Sequence, residues 1–170
     1  MDLKTVIRSI PDFPEPGILF RDITPVLQDG EYLREAVDAV IKALDGLEYD
    51  LVLGPESRGF IFGVPVAYNL KKGFVPVRKA GKLPYETRSK SYGLEYGKAT
   101  IEIHKDAIQP GQRVVVIDDL LATGGTCKAL AELVEESNGV IAGMIFLIEL
   151  ADLNGRGQLE GYDVRSVLRY

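Results

Sequence analysis

The chain has 170 residues, 46% of them hydrophobic and 26% charged, with a formal net charge of −5 and a single cysteine. That length suits one domain, residues 1–170, with a full core, and the balance of apolar and charged residues excludes a disordered or membrane-spanning chain. The negative charge argues against a general nucleic-acid binder, a lone cysteine excludes an internal disulfide or a zinc site built on cysteines, and Met1-Asp2-Leu3-Lys4 lacks a signal-peptide core, so a cytoplasmic protein is expected.

Leu3, Val6 and Ile7 outline a short amphipathic helix ending near Arg8. From about 10 to 25 the chain carries four prolines and a glycine among Phe13, Ile18, Leu19, Phe20 and Ile23, which restricts it to extended and turn conformations. It is either a linker or a stiff apolar floor for a flat heterocycle; its richness in Phe, Ile and Leu favours the floor. A helical stripe follows through Leu33, Ala36, Val37, Val40, Ile41 and Leu44, started at Asp29 or Gly30 and closed by Gly46. Asp50 to Gly54 reads as a short buried strand, Pro55-Glu56-Ser57-Arg58-Gly59 as the turn after it, and about 60–70 as a helix. Phe74 to Val77 is another strand, with Arg78, Lys79 and Lys82 clustered at its end. Such a run is a solvated face, or, at the same sheet edge as Arg58, a positive field for a polyanion.

Residues 83–97 are polar and lack a packing stripe, so they form a lid or a disordered loop, with flanking glycines that permit movement. We read a lid. Ala99 to His104 alternates like a half-exposed strand, and Gln109-Pro110-Gly111 turns into the apolar run Val114 to Ile117. That run ends at Asp118 and Asp119; a small-residue loop, Ala122-Thr123-Gly124-Gly125-Thr126, then leads into a helix over 128–136. Val140 to Leu150 is a further strand, Gly155-Arg156-Gly157 a break, and Val164 to Leu168 a last edge strand. Cys127 at a helix start could be a nucleophile, but nothing in sequence pairs it with the only histidine, His104, so Cys127 is read as packing and His104 as a surface strand residue.

The stretch from Arg113 to Thr126 carries the chemistry. Gly124 and Gly125 allow successive backbone N–H groups to converge on one anion at the start of a helix, and the hydroxyls of Thr123 and Thr126 add donors. There is no lysine after the glycines and no G-x-G-x-x-G spacing, so the loop suits a single phosphate rather than a P-loop or dinucleotide site. Adjacent carboxylates at the end of a buried strand need partners, and vicinal ribose hydroxyls supply them. A phosphate beside a cis-diol describes a ribose 5-phosphate.

The run Val-Val-Val-Ile-Asp-Asp-Leu-Leu-Ala-Thr-Gly-Gly-Thr resembles the signature of type I phosphoribosyltransferases for phosphoribosyl pyrophosphate (PRPP), in the form found in their adenine-using branch. Two further segments share the likeness: Phe-Pro-x-Pro-Gly-Ile-Leu-Phe-Arg-Asp from Phe13, and Arg-Lys-x-Gly-Lys-Leu-Pro from Arg78. The resemblance implies an α/β, single-domain fold, a mainly parallel central sheet flanked by helices, with a small hood and a flexible lid loop. It implies the reaction adenine + PRPP giving AMP + pyrophosphate, with substrate-bound Mg2+ and no dedicated metal ligands on the protein. It assigns Ala122, Thr123, Gly124, Gly125 and Thr126 to the phosphate and Asp118 and Asp119 to the ribose. Pyrophosphate falls to Arg58, Arg78, Lys79 and Lys82, with Lys79 reaching across a homodimer interface. Adenine falls to Leu19, whose backbone meets the edge of the base, and to Phe20 and Arg21, and the lid brings in Glu95, a candidate proton carrier, and Tyr96. Family members vary at Glu56 and Ser57, which are carried over loosely. The alternatives are another purine, xanthine or hypoxanthine, or a non-catalytic PRPP-sensing regulator, for which no added nucleic-acid-binding module is visible.

Overall fold

In a computed structural model, which describes residues 2–94 and 96–170, the elements run in chain order as follows. Helix α1 (Leu3–Val6) precedes strands β1 (Arg8–Pro11) and β2 (Leu19–Asp22), then helices α2 (Thr24–Gln28) and α3 (Gly30–Ala43). Strand β3 (Leu51–Pro55), helix α4 (Arg58–Asn69), and strands β4 (Gly73–Lys79), β5 (Thr87–Leu94), β6 (Gly97–His104) and β7 (Arg113–Leu121) follow. Helix α5 (Gly125–Glu136), strand β8 (Val140–Glu149), two short 3-10 turns (Ala151–Leu153 and Gly155–Leu159) and strand β9 (Val164–Arg169) complete the chain.

Among the described residues the main sheet is seven-stranded, in the order β5-β6-β4-β3-β7-β8-β9. The five strands from β4 to β9 in that order run parallel, and the β5–β6 hairpin joins antiparallel through β6. The mainly parallel sheet flanked by helices is therefore present. Its strands order away from β3 in one direction and from β7 in the other, so the crevice beyond their carboxyl ends is the natural ligand site of such a sheet.

The apolar run Val114 to Ile117 is fully buried because it is covered on both faces. Alternation sends Val114 and Val116 into a core shared with α5, and Val115 and Ile117 into one shared with α3 and α4. Asp29 caps α3 by accepting from the N–H groups of Glu31 and Tyr32 at 2.9 and 3.2 Å, as the sequence led us to expect.

Four local readings are corrected. The central strand does not stop at the two acids; β8 keeps pairing with it through Asp118↔Phe146, Leu120↔Ile148 and Leu121↔Glu149, so its backbone stays extended to Leu121. Much of the segment read as a lid loop is strand, since Thr87 to Leu94 pairs with β6 throughout; its two faces are both largely solvated, and that hides the alternation. The proline-rich segment holds a hairpin, β1 against β2, and then a helix, because Pro25 sits in the first turn, where its missing N–H costs nothing. Residues 151–159 form 3-10 turns rather than a simple break. No helix among the described residues is long and apolar enough to cross a membrane.

Candidate active site

The carboxyl ends of β3, β4 and β7 meet at one edge of the sheet, and three cavities open there. The largest, about 850 Å3, is lined by Glu56, Ser57, Arg58, Arg78, Lys79, Tyr92, Asp118, Asp119 and Thr126, among others. A second, about 190 Å3, is walled by Asp118, Asp119 and the whole loop from Ala122 to Thr126. A third, about 480 Å3 and largely apolar, lies under the β1–β2 hairpin between Phe13, Phe20, Ile23, Leu27 and Ile61. Arg58 lines all three.

The arrangement follows from local sequence. Arg58 opens α4, and its Nε lies 2.8 Å from Asp119 Oδ2, while its guanidinium stands 5.7 Å from the Phe20 ring centroid. Gly59 permits this: a Cβ there would meet Pro55 Cδ at 2.7 Å and Asp118 Oδ1 at 3.0 Å. Asp119 is buried, and its N–H donates to Asp118 Oδ1 at 2.8 Å. Burial, then the neighbouring Asp119 charge, pushes the Asp118 carboxyl well above its ordinary range. Burial also raises Asp119, and Arg58 opposes it. The pair therefore gains from added positive charge and hydrogen-bond donors, which a ribose diol or a cation would provide.

The phosphate-sized loop has the expected form. Gly124 adopts φ +87°, and α5 starts at Gly125, so the positive end of a twelve-residue helix points into the small cavity. The loop is backed by the chain's last third. A Cβ on Gly124 would lie 2.5 Å from the Gly155 carbonyl oxygen, and one on Gly155 would collide with the Ala122 carbonyl. Gly155 is held there by a buried anchor: Glu149, at the end of β8, accepts from Arg156 Nε and Nη2 at 2.7 and 2.9 Å. The Arg156 hydrogen bonds hold the Glu149 carboxyl below its usual range.

On the basic side, Glu56 rather than solvent receives Arg78, at 3.3 Å from its Nε, and the Lys79 N–H at 2.7 Å. The Lys79 N–H and then the Arg78 charge keep Glu56 below the ordinary carboxylate range despite some burial. Lys79 has an exposed side chain at the rim. Lys82 lies further out, in the turn after β4, and does not line the cleft. On the base-floor segment, Phe20 lines the apolar cavity, whereas strand alternation turns its neighbours elsewhere. Leu19 is 47% exposed, and Arg21 points to Ser9 Oγ and to the Tyr170 ring, so neither side chain enters that cavity. Tyr96 is 84% exposed next to the hairpin tip, and Glu95 lies outside the described residues.

Cys127 is buried, and burial raises its thiol pKa well above the usual value, so it packs rather than attacks. His104 sits on β6, where its Nε2 accepts from the Tyr85 N–H at 3.3 Å. Two residues that the sequence did not single out belong to the site. Tyr92 receives the Thr126 hydroxyl at 3.0 Å, which ties the β5–β6 hairpin to the phosphate loop, and Lys90 on the same strand pairs with Glu136 and Glu132 of α5 at 2.5 and 3.3 Å. The i, i+2 spacing of Lys90 and Tyr92 was the available signal. Asp22 is the other: it lines the apolar cavity, pairs with Arg8 at 3.6 Å and accepts from the Thr24 N–H at 2.9 Å, which lowers its pKa.

Residues 28–168 match the family model described as a phosphoribosyl transferase domain. The chain is 62% identical, over 99% of its own length and 97% of the relative's, to an adenine phosphoribosyltransferase of Agathobacter rectalis. It superposes with a TM-score of 0.96 on the crystal structure of adenine phosphoribosyltransferase from Thermoanaerobacter pseudethanolicus, at 55% identity, covering 99% of this chain and 98% of that one. The Saccharomyces cerevisiae enzyme, crystallised with an imino-altritol bisphosphate and adenine, matches at TM-score 0.92 and 40% identity, over 98% of this chain and 96% of that one.

Proposed function

The chain belongs to the phosphoribosyl transferase family, and from that premise we propose that it joins adenine to PRPP, forming AMP and releasing pyrophosphate in purine salvage. The observation that carries this reading is the convergence of three different cavities on the Arg58–Asp119 pair: one wide and lined by both cations and carboxylates, one phosphate-sized, one apolar. Pyrophosphate, ribose 5-phosphate and a purine are one molecule and its partner divided in the same three ways.

In this reading the loop from Ala122 to Thr126 holds the 5-phosphate, and Asp118 and Asp119 accept from the ribose hydroxyls. The bond from ribose C1 to pyrophosphate breaks as the base nitrogen bonds to C1, and the base gives up the proton on that nitrogen. No protein nucleophile is needed. The chain's work is placement and charge neutralisation, which commonly dominate catalysis. Arg78 faces the departing pyrophosphate. Arg58 leaves Asp119 for it when the ribose hydroxyls take over that carboxylate, and Glu95 carries the proton when the hairpin closes.

Magnesium fits this site as a substrate-borne ion. The paired oxygens of Asp118 and Asp119 are hard donors beside the cleft and suit a cation carried in with PRPP. Bound with PRPP, the ion would neutralise charge on pyrophosphate. A cytoplasmic homodimer is the setting that the family resemblance supports, with Lys79 serving the partner's cleft.

The test is pyrophosphate release by the purified protein with PRPP, magnesium and adenine, hypoxanthine or xanthine in turn. Adenine should be the strongly preferred base. Faster release with another purine would overturn the base assignment, and PRPP binding without base-dependent release would mark a sensor rather than an enzyme.

A further inference from the structure

We propose that Tyr170, the last residue, is a positioning residue for the base: through Arg21 it fixes strand β2, and with it the Phe20 ring that walls the apolar cavity. The inference rests on the reading that adenine binds beside Phe20. Nothing in the sequence connects residue 170 with residues 19–22, and no residue from Asp152 onward suggested any part in activity.

The β1–β2 hairpin forms a separate two-stranded sheet, not hydrogen-bonded into the main one. Such hairpins are marginal alone, so side chains must hold it in place. On one face of β2, Phe20 and Asp22 line the cavity; on the other, Arg21 lays its guanidinium 4.0 Å from the Tyr170 ring centroid and donates to Ser9 Oγ at 2.5 Å. Ser9 is the residue opposite Arg21 in the hairpin, so this one side chain ties both strands to the ring. The ring is itself fixed. Tyr170 donates its N–H to the Glu149 carbonyl at 2.9 Å and accepts from the Ala151 N–H at 2.8 Å. Lys4 approaches the ring at 5.1 Å and donates to the Arg169 carbonyl at 2.7 Å.

One detail separates this role from general packing. The Tyr170 hydroxyl is buried without a hydrogen-bond partner among the described residues, so the ring face and not the hydroxyl engages Arg21. A phenylalanine offers nearly the same face.

Steady-state kinetics with each substrate varied separately tests the proposal. Tyr170→Ala should raise the KM for adenine roughly three- to tenfold, the effect of losing one cation–π contact. The KM for PRPP and kcat should stay within about twofold, because the phosphate loop and the acids lie on other elements. Tyr170→Phe should restore the parent adenine KM. Arg21→Ala should match Tyr170→Ala, and the double variant should be no worse than either single one. Should Tyr170→Ala fail to fold, Tyr170→Leu, which keeps an apolar side chain but no ring face, takes its place in the test. The proposal is overturned if the two KM values rise together, if Tyr170→Phe is as impaired as Tyr170→Ala, or if Arg21→Ala leaves the adenine KM unchanged. Phe20→Ala is the control for the underlying reading. An unchanged adenine KM there removes the base from this cavity, and the inference with it; a raised one beside a normal Arg21→Ala refutes the inference alone.

Discussion

Replacing Gly124 with alanine separates two costs that the structure places at one residue. The first is conformational: at φ +87° an L side chain loses about 1–2 kcal/mol in the left-handed region. The second is steric, because the new Cβ would sit 2.5 Å from the Gly155 carbonyl oxygen and 3.1 Å from Gln158 Cβ, and such overpacking costs about 1–3 kcal/mol. Restricting the unfolded chain returns about 0.4–1 kcal/mol. The net loss is roughly 1–5 kcal/mol, and at about 2–4 °C per kcal/mol for a chain of this size it lowers Tm by at least a few degrees. Gly111 supplies the comparison, since its φ is +82° but a methyl group there would meet no atom within 4 Å. Urea unfolding of Gly124→Ala and Gly111→Ala at constant m-value therefore isolates the collision as their difference, about 1–3 kcal/mol. AMP binding, read by calorimetry, should weaken only in Gly124→Ala. Equal unfolding midpoints for the two variants would refute the claim that residues 155–158 press on the phosphate loop.

Four other outcomes follow from the same geometry. Because Asp118 has a raised carboxyl pKa when folded, the native protein holds more protons than the unfolded chain between the ordinary carboxylate value and that raised value, and stability falls as pH rises through this window. Asp118→Asn should flatten the fall and leave the ligand-free protein more stable above it while weakening PRPP binding; an unchanged slope of Tm against pH would contradict this. Tyr92→Phe removes the acceptor for the Thr126 hydroxyl and should cost about 0.5–1.5 kcal/mol in urea unfolding, with no loss expected if the hairpin is not tied there. Arg156→Ala strips the nearly buried Glu149 of its bidentate partner; with Arg156 itself 39% exposed, the cost should be about 2–3 kcal/mol, below the full range for buried pairs, and a loss under about 0.5 kcal/mol would rule the anchor out. Glu95→Gln should lower kcat about 100-fold or more when chemistry limits the rate, and parent turnover would exclude Glu95 as the proton carrier.

What could be read from the sequence was whatever local composition decides. Val114 to Ile117 could only be a strand covered on both faces, and Gly124-Gly125 before a helix could only suit a small anion, so the sheet's centre and the phosphate loop were legible. The extension of β7 through Asp118 and Asp119 was not, because it depends on a partner, β8, more than twenty residues away. Thr87 to Leu94 was hidden for the opposite reason: with neither face buried, a strand leaves no periodic trace. Arg58 and Arg78 were found as cations, but the carboxylates they pair with, Asp119 and Glu56, come from other turns of the sheet edge. Arg21 was placed near the base by likeness alone, and nothing local shows that the alternation of β2 turns its side chain toward Tyr170.

The burial of β7 has a kinetic consequence. Its residues Val114 to Ile117 have no exposed surface, and both layers of helices must separate before their amides meet water. Such amides exchange only through global unfolding. Asp118 and Asp119 follow directly on that stretch of the same strand. Strand β5, by contrast, lies at the sheet's rim and is solvated along most of its length, outside that double cover.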